Sequence, residues 1–201
     1  ADRAALDDTL DVAIVAGLIG DGPSSGELRF GHILTRDALY DALSSHRRVE
    51  LHAAVGDALE RLRAHDLDAH LDELAHHFAQ AAAHGEAVRA LRYARQAGER
   101  ALARAAHPEA AARFEAALHV LDLDAHDESA DPRQVARIRA ELLVLLGQGL
   151  WRSGSTGEAR ERFAAGFELA RTIRDAETLA RAALGFVGRT GIRKANAKAD
   201  F

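Results

Sequence analysis

Apolar positions recur with helical spacing from the start of the chain. Leu6, Leu10, Ile14 and Leu18 lie four apart, so the pattern predicts a helix over residues 3–18. It then breaks. Gly17-Leu18-Ile19-Gly20 leads into the polar tract Asp21-Gly22-Pro23-Ser24-Ser25-Gly26, and Glu27-Leu28-Arg29-Phe30 comes next with alternating character. Two short segments around a Gly/Pro/Ser turn predict a β-hairpin within residues 18–31, the only stretch with strand character. Thr35 is placed to cap a helix from Arg36 to Leu43, with Asp37 near its positive end. Ser44 and Ser45 break that helix. A longer one is predicted over 46–64, with Val49, His52, Ala53, Gly56, Leu59 and Leu62 along one side.

Beyond Asp66 the period is helical throughout, and helices are predicted at 69–83, 86–106, 108–122, 132–153, 156–174 and 176–188. The breaks have physical causes. Gly85 stands where a helix should end, and Pro108 and Pro132 suit the first turn of a new one. Ser153 to Gly157 reads as a turn with a capping hydroxyl, and Asp122 to Asp131 as a longer acidic loop.

The helical part repeats. A shift of 49 residues superposes Leu146-Gly147, Ala159, Phe163 and Gly166 on Ala97-Gly98, Ala110, Phe114 and Ala117. A weaker copy holds Leu74-Ala75, Ala87, Leu91 and Ala94, and Leu184-Gly185 opens another. In the full copies the small and the large residue lie 16 apart. The small residue lets two helices approach, and the large one fills the groove between adjacent hairpins, whose uncovered face the next repeat must bury. These positions resemble the tetratricopeptide repeat, over roughly residues 69–188. Two departures are plain: the 49-residue offset is long, and copies at 75 and 98 are only 23 apart, so one helix would serve both. An ordinary α-hairpin bundle is the alternative. The expected fold class is all-α: a winged-helix-like module with one small β-hairpin over residues 1–65, a tetratricopeptide-like α-hairpin solenoid over 66–188, and a truncated basic tail over 189–201.

The N-terminal third carries a second resemblance. Leu28-Arg29-Phe30-Gly31-His32-Ile33-Leu34-Thr35-Arg36-Asp37-Ala38-Leu39-Tyr40, then Arg47-Arg48 and Leu51-His52, is similar to the stretch after the ATPase core in LuxR/MalT-type signal-transduction (STAND) ATPases. Leu74-Ala75-His76-His77-Phe78 and Ala94, Ala97-Gly98-Glu99 and Ala101 fit that family's helical repeats. The resemblance implies a parent protein with an upstream nucleotide-binding domain, where ATP or ADP would bind, and often a downstream DNA-binding domain. It implies a regulatory segment that binds a protein partner or small inducer on its repeats. It also makes His32, with Arg36 one turn on, a candidate sensor of the nucleotide's phosphate; the plainer alternative is a packing or capping histidine. Two other readings are a free-standing adaptor protein and a winged-helix nucleic-acid binder.

Composition narrows the remaining chemistry. Aromatic residues are 5% of the chain, so its core must be aliphatic and small. The absence of cysteine removes disulfides and thiolate metal sites. No apolar run approaches the ~18 residues of a membrane span, and no signal peptide is recognisable, so a cytoplasmic location without membrane contact is expected. No methionine occurs, even at position 1, and we expect residue 1 to be an interior cut or a processed end. The net charge is −5, and the first helix carries Asp2, Asp7, Asp8 and Asp11 against Arg3, which disfavours nucleic acid as its partner.

No catalytic constellation is expected. Gly20, Gly22 and Gly26 lack the Lys and Ser/Thr of a phosphate-binding loop, so no cofactor is expected in this segment. Glu73 and His76 have the spacing of half a di-iron motif, but no second pair accompanies them, and no metal is expected. His76 and His77, being adjacent, are expected on different helix sides. The serines fall at turns, and the carboxylates alternate with arginines as on a solvated surface.

Overall fold

Helix α1 (Arg3–Val15) ends three residues short of the predicted Leu18. Gly17 adopts φ +70°, its N–H donates to Ile14 and that of Leu18 to Ala13, a closing motif that turns Leu18 out of the helix. Strands β1 (Ile19–Asp21) and β2 (Leu28–Phe30) come next as an antiparallel hairpin with Ile19 opposite Phe30. Helix α2 (Ile33–Asp41) starts earlier than expected, because His32 and not Thr35 caps it: His32 Nδ1 accepts the Leu34 N–H at 3.1 Å. Helix α3 (Ser45–Leu62) starts behind Ser44, whose Oγ accepts the Arg47 N–H at 3.2 Å.

This computed structural model describes residues 3–23, 26–124 and 131–187. Among them the chain is mostly helical, with nine α-helices and one two-stranded hairpin. The turn residues Ser24 and Ser25, most of the acidic loop before Asp131 and the basic tail 189–201 lie outside the described residues. No described helix is long and apolar enough to cross a membrane.

Two compact units separate between Arg48 and Val49, inside α3, whereas the boundary was expected near residue 65. From Val49 on, α3 belongs with the later helices, because Gly56 receives the Phe78 ring and Asp57 binds Arg89. In the first unit no described residue is buried. In the second, a 3-10 turn (Leu67–His70) precedes α4 (Leu71–Ala81), and another (Ala82–His84) ends at Gly85 with φ +98°. Then come α5 (Ala87–Ala103), α6 (His107–Asp124), α7 (Pro132–Ser153), α8 (Thr156–Ile173) and α9 (Ala176–Val187). Consecutive helices from α4 to α9 pack on one another around one continuous core, running from Leu71 to Ala182.

The ends of these helices obey local chemistry. Asp131 caps α7 by accepting the Arg133 N–H, with Pro132 in the first turn. Gly154, at φ +100°, closes α7, and the Ser153 hydroxyl donates back to Leu150. The hydroxyl expected to cap α8 is not engaged: Ser155 makes no side-chain capping bond. Helix α5 stops three residues before the predicted 106, because Ala105 takes a left-handed conformation with φ +58°.

Candidate functional site

The second unit is built on rings set against glycines. A Cβ on Gly98 (α5) would lie 2.6 Å from the Phe114 ring (α6), and one on Gly147 (α7) would lie 2.8 Å from the Phe163 ring (α8). Both rings are fully buried, as are Ala110, Ala117, Leu146 and Ala159 around them. Gly185 (α9) meets the same Phe163 ring, at 2.5 Å from its hypothetical Cβ. The contact upstream is Gly56 (α3) with Phe78 (α4), at 2.7 Å. Leu74 and Ala75 are buried on α4, and Leu91 of α5 is partly buried and packs against the same core. Gly56 and Phe78 are 22 apart and not 16, because the extra turn Leu67–His70 lies between them. The signal for finding them was a glycine on the apolar side of α3, with an aromatic on the next helix.

Alternate helices are tied by arginines. Arg89 of α5 reaches Asp57 (2.5 Å) and Glu60 (3.2 Å) of α3, and Arg92 reaches Glu60 at 2.8 Å. Arg95 of α5 binds Glu141 of α7 at 2.8 Å, and Arg137 of α7 lies 3.5 Å from Asp175, at the head of α9. Among the even-numbered helices, Asp72 of α4 binds Arg113 of α6 at 2.8 Å, and Glu115 of α6 lies 4.0 Å from Arg162 of α8. The α3–α5 junction is the densest. Tyr93 stacks on Phe78 with centroids 5.5 Å apart, its hydroxyl donates to Glu60, and Arg89 lies over the Phe78 ring at 4.4 Å. Burial, then the bond to Glu60, pushes the Tyr93 phenol above its usual range. The Arg89 guanidinium is held more firmly protonated, chiefly by its bond to Glu86.

Two of the grooves on this frame differ in character. One, of about 310 Å³, lies between α8 and α9 and is lined by Phe163, Ala164, Phe167, Glu168, Ala183 and Phe186. Beside it Leu184 is 72% exposed. The other, of about 680 Å³, runs between the Leu67–His70 turn and α5, with Gln96, Glu99, Arg100 and Arg104 on its α5 wall. Arg100 spans it, donating to the Asp68 carbonyl and to Asp72. The first fits apolar side chains; the second, walled also by Leu67, Leu71 and Ala103, fits a segment of mixed polar and apolar character.

The histidines divide into two groups. His32, in the first unit, is exposed and engaged in capping, so its neutral ring carries its proton on Nε2. Arg36 is exposed and bound to Asp37 at 2.7 Å, so the two candidate sensor residues engage different neighbours. His76 and His77, expected on different sides of α4, are in ring contact with each other at 5.3 Å, and both reach His52 of α3. Adjacent side chains diverge by about 100° on a helix, and here the two rings bracket a third. Among the described residues no group of three or more His, Asp or Glu is arranged to hold a metal ion. No family model, curated protein or solved structure matches this chain.

Proposed function

We propose that α3 to α9 form a tetratricopeptide-like α-hairpin solenoid whose role is to bind a protein partner or small inducer without catalysis. The observation that carries this reading is the recurrence of one contact, a phenylalanine ring on a glycine, in successive helix pairs: α3/α4, α5/α6 and α7/α8. The arginine bridges between alternate helices support it, since stacked hairpins bring every second helix into register. The mixed groove beside α5 and the apolar groove between α8 and α9 are the surfaces offered to a partner.

With the resemblance of residues 28–52 to LuxR/MalT-type signal-transduction ATPases, the segment is a relay in an ATP-dependent transcriptional regulator. The first unit would be a winged-helix-like module facing an ATPase domain of the same protein, with the Nε2–H of His32 free to donate to a phosphate. The surrounding reading frame tests this directly. An upstream phosphate-binding loop is expected there; its absence would sink the regulator and leave a free-standing adaptor. A mobility shift of random duplex DNA at low salt tests the third reading, and no shift is expected, because α1 presents Asp7, Asp8 and Asp11.

A further inference from the structure

Three imidazoles stand where α3 meets α4. His52 lies on α3, and His76 and His77 on α4, with centroid distances of 5.6 Å (52–76), 5.1 Å (52–77) and 5.3 Å (76–77). The Nδ1 atoms of His52 and His77 are 3.0 Å apart. A hydrogen bond between two ring nitrogens needs one N–H and one lone pair, so it exists only while at least one ring is neutral. One turn further along α3, Gly56 receives the Phe78 ring. Gly56 is the only buried residue among those described in α3. Leu59 of α3 packs against the same core, and the imidazole bond is a further contact between this helix and α4.

We infer that His52, His76 and His77 form an acid-responsive clasp: neutral, they join α3 to α4, and with two rings protonated they drive α3 off the Phe78 ring. On α4, Glu73, which also lies 3.5 Å from His70, favours a charge on His77. Farther along α3, Asp57 and Glu60 are paired with Arg89 of α5 at 2.5 and 3.2 Å. Burial first, and the neighbouring imidazoles second, hold both His52 and His77 below the ordinary histidine value of 6.5. A histidine depressed in the folded state stabilises fully above 6.5, and that contribution is lost as pH falls through the depressed values. Release thus belongs to mildly acidic conditions. This goes beyond the repeat reading and does not depend on it.

Amide hydrogen exchange at pH 7.5 and 5.0 tests the clasp, with rates corrected for their intrinsic pH dependence and a chelator present. Protection of α3 residues 49–62 is expected to drop about tenfold more than that of α7. His52→Asn keeps a polar atom near the Nδ1 position and removes one titrating ring; its α3 drop should shrink to about threefold or less. An unchanged α3 in the wild type overturns the proposal, as does an equal drop in the variant. Imidazole ¹⁵N shifts of the wild type give a second reading that needs no variant. His52 and His77 are expected to take up protons in two separated steps below pH 6.5. Independent titration of both at the ordinary value would overturn the clasp.

Discussion

Ala105 and Gly154 occupy the same place at the ends of α5 and α7. At both, the N–H of the next residue closes the helix, Ala106 to Ala101 and Ser155 to Leu150, and both have positive φ. Only glycine does this without strain, since a Cβ there costs about 1–2 kcal/mol. Ala105→Gly is therefore expected to raise stability by about 0.5–1 kcal/mol, and Gly154→Ala to lower it by about 1 kcal/mol, both read from urea midpoints. The end of α5 was illegible for this very reason: the sequence carries alanine where the backbone needs a glycine. Gly98 fails in the opposite way. Its φ is ordinary, but a Cβ would sit 2.6 Å from the Phe114 ring, so Gly98→Ala should cost about 1–3 kcal/mol through overpacking. Pairing it with Phe114→Leu should recover part of that loss in the same measurement.

Asp175 shows how an element is held at its first turn. Its carboxylate accepts the Thr178 N–H at 3.2 Å and the Thr178 hydroxyl at 2.9 Å, and Arg137 of α7 lies beside it. Burial pushes this carboxyl upward, but those bonds and Arg137 outweigh it and hold it below the ordinary 3.8. Its stabilisation of α9 is thus complete above that value and lost as pH falls through the folded value below it. Asp175→Ala should cost about 1 kcal/mol at neutral pH, and the difference from wild type should vanish in strong acid. Ion pairs differ in worth according to how many partners they gather. Arg89→Met leaves Asp57 and Glu86 without their cation, Glu60 keeping Arg92, and should cost about 1–2 kcal/mol. Arg171→Met, which removes an exposed pair with Glu168, should cost less than about 1 kcal/mol by thermal melting. Of the helices themselves, nearly all were legible from period, Gly and Pro. The side chains joining non-consecutive helices were not, because Asp57 and Arg89 are 32 residues apart and no local pattern relates them.

The two units differ in how much they bury. Residues up to Arg48 include no buried side chain among those described, and Leu6, Val12, Val15, Ile33, Leu34 and Leu39 are each more than half exposed. The core belongs to the second unit. A chain starting at Leu43, which keeps the Ser44 cap of α3, is expected to retain the cooperative unfolding transition of α4 to α9. Fluorescence of an apolar-site dye on the full chain should fall sharply in that shorter one. A lost transition would show that the first 42 residues do stabilise the core. Within that core, Phe163 has a mechanical consequence. One ring is wedged between glycines of α7 and of α9, so neither helix can be drawn off without unseating the contact that holds the other. Pulled from α9 in an optical trap, the chain should therefore give way in a single rip spanning α7 to α9, with no pause for α9 alone. Phe163→Ala should split that rip in two.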